Sequence, residues 1–131
     1  MTNEITMKER EKKVVTINCT TAPSGAVMDI TTATELEWVA YDKGGTLKIR
    51  KTLGIMTITK AASGPSGITS FWFYLYPADT ELPTTKSYGT PIIWNHEARV
   101  TFPATLFGTS EYVVISGEMI ISPSLTGVSV D

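Results

Sequence analysis

The chain predicts an all-β protein, an antiparallel β-sandwich of about seven or eight strands. Three observations predict it. Threonine is the commonest residue, 21 of 131, and Val, Ile, Tyr, Trp and Phe are plentiful. Side chains branched at Cβ or carrying rings fit a pleated, half-buried surface better than a helix. Apolar and polar residues alternate over short runs, the spacing of strands with one buried face. Turn signals separate those runs at intervals of roughly 8–14 residues, and no long helical period stands between them.

Residues 1–12 read as a charged arm, with Glu4, Lys8, Glu9, Arg10, Glu11 and Lys12 close together. Asn3 is placed to cap a short helix from Met7 to Lys13, with Glu4 near its positive end. One or two turns are marginal alone, so the arm is expected to be ordered only against a partner. Residues 13–122 form the domain. The first strand spans 14–20, with Val15, Ile17 and Cys19 on one face, and Ala22-Pro23-Ser24-Gly25 turns the chain. In 33–41, Leu36, Trp38 and Ala40 oppose Glu35, Glu37 and Val39. Asp42-Lys43-Gly44-Gly45 is a hairpin signal. It leads into 46–51, where Leu47 and Ile49 point in and Lys48 and Arg50 point out.

Leu53-Gly54 breaks the pattern, and 55–59 resumes it as a strand. Residues 61–67 are a loop. The most apolar strand, 68–76, sets Phe71, Phe73 and Leu75 against Trp72, Tyr74 and Tyr76. Rings on both faces imply either a covered outer face or an exposed aromatic patch. Residues 77–83 are a turn with room for one helical turn. Strands follow at 90–94, 96–102 and 111–122, and 123–131 is a polar tail with an apolar end at Val128 and Val130.

Charge and cysteine content exclude several classes. Eleven basic residues against 13 acidic ones give a net charge of −2, which argues against a broad basic field for nucleic acid. One cysteine forms no internal disulfide framework and no multi-cysteine metal cage. No apolar run reaches the roughly 18 residues of a membrane helix. The charged N-terminus has no apolar segment of the secretory kind. Charged residues make up 18% of the chain, against about 25% in typical domains. Such a surface either faces other protein or is a neutral Thr/Ser-rich coat.

Reactive chemistry finds little support. His96 is the only imidazole, and Gly64-Pro65-Ser66-Gly67 lacks the spacing of a nucleophile elbow. His96 is expected at a strand start, bonded to Glu97 or a backbone carbonyl. Cys19 and His96 are too few for structural zinc, and Asp42 lacks the alternating acids of a calcium loop. Cys19 reads as a small buried hydrophobe. Asn18-Cys19-Thr20 matches a glycosylation acceptor, by chance within a strand. Gly-rich phosphate loops are absent. No catalytic, cofactor-binding or metal-binding residue is therefore expected. Lys43, Lys48, Arg50 and Lys51 form a basic hairpin, read as a solvated face. Once alternate members of 71–76 are assigned to the core, Trp72, Tyr74 and Tyr76 remain. With Trp94 they are candidates for a partner surface, since Tyr and Trp join apolar area to a polar handle. Met7 and Arg10 are the arm's candidates for the same role.

Several landmarks follow one another in a familiar order: the 33–41 strand Ala-Thr-Glu-Leu-Glu-Trp-Val-Ala-Tyr; Lys51-Thr52-Leu53-Gly54-Ile55; Leu75-Tyr76-Pro77-Ala78-Asp79-Thr80; the 94–100 segment from Trp94-Asn95-His96-Glu97 to Val100; and the closing 114–121 strand. In order and spacing they resemble the immunoglobulin-like β-sandwich domains of tailed-bacteriophage structural proteins. The likeness is to the N-terminal domain of baseplate upper proteins and to related neck or tail components. It covers roughly residues 13–122, with longer loops at 64–67 and 103–110. The resemblance implies an immunoglobulin-like fold and a virion subunit of neck, tail, baseplate or capsid surface, made in the bacterial cytoplasm. Such a subunit works by contacts with copies of itself and other virion proteins, without catalytic residues, cofactor, nucleic acid or membrane. The alternative reading is a carbohydrate-binding module for host-surface glycans that uses Trp72, Tyr74 and Trp94. An enzyme comes third.

Overall fold

A computed structural model describes residues 4–21, 26–55, 57–80, 90–105 and 108–123. Among them are ten strands: β1 (Ile5–Lys8), β2 (Lys13–Asn18), β3 (Thr20–Thr21), β4 (Ala26–Val27), β5 (Glu35–Tyr41), β6 (Leu47–Thr52), β7 (Thr59–Lys60), β8 (Ser70–Leu75), β9 (Ile92–Thr105) and β10 (Gly108–Ser122). A single 3-10 turn spans Pro77–Thr80. The larger sheet has the order β1-β10-β9-β5-β6 and the smaller β2-β8-β7, while β3 and β4 form a separate ribbon. The protein is an all-β sandwich. Its pairings are antiparallel except at one edge, where β1 runs parallel to β10.

Strict alternation builds the core. Leu36, Trp38 and Ala40 of β5, Ala98 and Val100 of β9, and Met119 and Ile121 of β10 point inward from the large sheet. Val15 and Ile17 of β2 and Phe71, Phe73 and Leu75 of β8 meet them from the small one. Trp38 and Phe73, whose ring centroids lie 4.7 Å apart, join the two layers at the centre.

The arm differs from the sequence expectation. Residues 7–13 are not helical: Ile5 and Met7 alternate with Thr6 and Lys8, and both enter the core as β1 docks on β10. Period-two burial, with a neighbouring strand to take up the backbone, outweighs a helix too short to hold itself. Beyond β1 the Glu9 N–H donates to the Ser122 carbonyl at 2.8 Å. Arg10 turns the chain with φ 63, and its N–H donates to Thr80 Oγ1 at 2.9 Å. The arm's order comes from its own chain. Asn3 lies outside the described residues, as do the 22–25 turn, Met56, 81–89 and the tail from 124.

Other boundaries shift too. The segments expected at 90–94 and 96–102 are one strand, because Asn95 faces outward without interrupting the ladder. That strand continues through Pro103, where a loop was expected. β9 pairs with β5 only as far as Thr101, so at Pro103 it has an edge that needs no donor. In β6 the inward residues are Ile49 and Lys51, whereas Leu47 is 48% exposed beyond a register shift at Ala40/Tyr41. Residues 55–59 do not form the expected strand. Ile55 is exposed in a turn and only Thr59–Lys60 pairs with β8. The Glu35 carboxylate makes that turn by accepting the N–H groups of Leu53 (2.9 Å) and Gly54 (3.1 Å). An acid three residues from the centre of one strand thus fixes a corner between two others.

Cys19 is buried, and its backbone ties three segments: its N–H donates to Thr69 O and its carbonyl accepts from Met28 N. Burial pushes the thiol up from 9.0 to about 12. The folded state therefore holds its proton where an unfolded chain releases it. Stability from this group is whole below pH 9.0 and lost as pH rises through about 12. Native protein is expected to resist a thiol reagent at pH 8 and to react fully in urea. The alkaline fall in urea midpoint should be shallower in Cys19→Ala than in wild type.

Candidate interaction face

Register assembles a continuous patch on the outer side of the small sheet. Val14 lies beside Tyr74, Thr16 beside Trp72, and Trp72 beside Thr59 across the next ladder. Because Phe71, Phe73 and Leu75 are taken by the core, the residues between them must face away from it. Tyr74 is 38% exposed, Tyr76 49% and Val14 53%. The Trp72 and Tyr74 rings meet edge to face, with centroids 5.4 Å apart at 84°. Tyr74 and Tyr76 are 5.9 Å apart and tilted by 40°.

Two lysines complete the patch. Lys12 Nζ stands 4.9 Å from the Tyr74 ring centroid and 5.7 Å from that of Tyr76, within the range of cation–π attraction. Lys51 Nζ lies 5.4 Å from the Tyr76 centroid. Lys51 reaches the same edge from the large sheet and donates to Asp79 Oδ2 at 2.9 Å. The same oxygen accepts the Tyr76 N–H at 2.7 Å, so the 3-10 turn is clamped beside the last ring. A hollow of about 220 Å³ opens between these rings and the hydroxyl-bearing Thr57 and Thr59.

The opposite side of the sandwich has another character. On the outer face of the large sheet Arg50 pairs with Glu37 at 2.6 Å and Arg99 with Glu97 at 2.6 Å. Lys43 bridges Glu118 at 3.0 Å and Asn95 at 3.2 Å. Those charges neutralise one another in contact with water. The small sheet instead presents rings and the Lys12 ammonium, with Lys51, 7% exposed, already paired with Asp79 at its edge.

The chain matches no protein-family model and none of the curated proteins searched.

The remaining expected residues fall elsewhere. Met7 (3% exposed) and Trp94 (6%) are core residues, each set in the inward phase of its strand, Met7 against Ile121 and Trp94 against Met119. Neither offers surface to a partner. Arg10 is exposed, but at the turn out of β1. His96 lies within β9, not at its start, and is 2% exposed. Its Nδ1 accepts the Trp38 Nε1–H at 3.2 Å, while Glu97, one of the two partners expected for it beside a backbone carbonyl, is held by Arg99. An imidazole that accepts at Nδ1 is neutral with its proton on Nε2. Here it joins strands β5 and β9 inside the core. Among the described residues no three His, Cys, Asp or Glu side chains converge on a metal position, and no helix is long and apolar enough to cross a membrane.

Sequence reasoning missed Lys12 and read Lys51 as part of a solvated basic face, whereas Lys51 is 7% exposed and donates to Asp79. Lys12 precedes Val14 by two residues and so shares its outward phase, and Lys51 follows Ile49 in the inward phase. The alternation that placed the rings also carried that signal.

Proposed function

We propose that this chain is a non-enzymatic virion structural protein of a tailed bacteriophage, an immunoglobulin-like sandwich that works by associating with copies of itself and with neighbouring virion proteins. Neck, tail, baseplate or capsid surface are all positions consistent with the sequence resemblance. The observation that carries the reading is the Trp72–Tyr74–Tyr76 ladder with Lys12, an exposed aromatic face beside an otherwise ion-paired surface. Contacts between proteins favour Tyr and Trp and bury them against apolar neighbours. Val14 and the threonines around the rings add area without the desolvation cost of charges. The ring geometry favours protein contact over the glycan alternative. A pyranose stacks on an open ring face, whereas Lys12 stands over Tyr74 and Trp72 meets Tyr74 edge-on.

Light scattering on purified protein is expected to show a concentration-dependent oligomer. Tyr74→Ala should weaken it by about 2 kcal/mol, near 30-fold, the scale of a central aromatic contact. Its urea midpoint should stay close to wild type, because the ring lies outside the core. A monomer at every concentration would overturn the reading. Saccharide binding by that monomer, abolished in Trp72→Ala, would establish the glycan module instead.

A further inference from the structure

The outer face of the small sheet demands a particular kind of occupant. Its exposed surface combines tyrosine rings, Val14 and the Lys12 ammonium, and the acid beside it, Asp79, is already engaged by Lys51 and the Tyr76 N–H. An occupant therefore has to bring apolar surface together with a carboxylate. A two-fold contact centred on Lys12 would set that ammonium against its own copy, whereas a surface that carries an acid pairs with it.

The chain carries the complementary combination in β10. Glu111 and Val113 sit two residues apart on one side of the strand, against Thr101 and Arg99 of β9, and Val113 is 50% exposed. Arg99 is ion-paired with Glu97 at 2.6 Å and feels Glu111 as a weaker, secondary charge. Most other described acids on strands or hairpins are already committed, Glu37 to Arg50, Glu118 to Lys43 and Glu35 to the Leu53–Gly54 turn. Geometry presents the segment as well. β5 follows β9 only to Thr101 and β1 follows β10 only along Met119–Ser122, whereas the β9–β10 pairing runs out to Thr105 and Gly108. The far end of the hairpin thus overhangs the sandwich. Glu111 and Val113 sit at its root, in rows that β5 still flanks through β9 but that β1 does not reach, and the Phe102 and Tyr112 rings, 5.9 Å apart at 72°, brace its other side. It belongs to the large sheet, while the ladder faces away from that sheet, so one copy does not reach its own ladder.

We infer that the overhanging β9–β10 hairpin of one copy seats on the Lys12–Tyr74–Tyr76 face of the next, with Glu111 against Lys12 and Val113 against Val14 and Tyr74. This rests on the self-association proposed above. Because the two surfaces belong to opposite sheets of the sandwich and face away from each other, the contact is head-to-tail, and repetition produces a closed ring or an open filament.

Charge reversal tests it on the full chain. Lys12→Glu alone and Glu111→Lys alone are each expected to weaken assembly about tenfold or more, and the double reversal to restore it to within about threefold of wild type. Sedimentation equilibrium reads the assembly, and near-ultraviolet circular dichroism of the buried Trp38 confirms that each variant is folded. Single variants that assemble like wild type, or a double variant as weak as either single, would overturn the hairpin-to-ladder contact while leaving self-association standing. A wild-type protein that stays monomeric would overturn both.

Discussion

Trp38→Ala is expected to destabilise the domain by about 3–5 kcal/mol, the range for removing a large aromatic side chain from a packed core. Against a total of about 5–15 kcal/mol for ordinary domains, that leaves little or nothing in reserve. Trp38 has no exposed surface, packs at a tilt of 36° against Phe73 of the opposite layer and donates to His96 Nδ1. Its loss therefore opens a cavity between the sheets and strands a buried acceptor at once. Trp38→Phe separates the two effects. It keeps a ring against Phe73 and removes the N–H with part of the indole, so it should cost about 1–3 kcal/mol for the unsatisfied nitrogen together with a smaller loss of volume than the alanine variant. Urea denaturation followed by far-ultraviolet circular dichroism measures both. A Trp38→Phe variant as unstable as Trp38→Ala would show that the hydrogen bond, rather than ring packing, holds the layers together.

Gly67→Ala is the second large effect, expected at about 2–3 kcal/mol from backbone strain plus lost hydrogen bonds. Gly67 has φ 84, and a Cβ there would run into the Asp29 carboxylate. That carboxylate accepts from the Thr31 hydroxyl and N–H and from the Ile68 N–H, donors that hold its pKa below the usual aspartate value. Pushing it aside would undo the junction that leads into β8. Gly64 is the matching control. It exchanges two backbone hydrogen bonds with Gly67, yet a Cβ on it meets nothing within 4 Å. Gly64→Ala should leave the urea midpoint nearly unchanged, so equal losses in the two variants would refute the steric argument.

What the sequence disclosed follows from how local each determinant is. β5 and β8 were legible because every second residue is buried, Leu36, Trp38 and Ala40 in one and Phe71, Phe73 and Leu75 in the other. Val39, expected on the outer face, is buried as well (2% exposed), between its register partners Arg50 and Glu97 on the neighbouring strands. The β5–β6 hairpin was legible from Asp42, whose Oδ1 accepts the N–H groups of Gly44 and Thr46 at 2.9 Å, a bond pattern that the Asp-x-Gly order announces. The arm was misread because charge dominates residues 8–13, while its two determining side chains, Ile5 and Met7, find their partners only in β10. The turn at Leu53 depended likewise on a distant residue, Glu35. Of the candidate face, the rings followed from period two. Trp94 and Met7 were set beside them by residue type alone, and type does not reveal which phase of a strand points inward. The charge pairing that distinguishes the two outer faces needs strand order, which no local pattern contains.

The parallel β1–β10 pairing bears on how the protein comes into being. Its two strands are separated in sequence by all of β2 to β9, so during synthesis β1 waits without this neighbour until residues 119–122 have left the ribosome. Ile5 and Met7 are exposed through that interval, and contacts so remote in sequence form slowly. A nascent chain stalled before Met119 should therefore be sticky and sensitive to protease at its front end. Pairing of residues 119–122 with β1 would abolish both traits together, so that chains which have made β10 are distinguishable from those which have not.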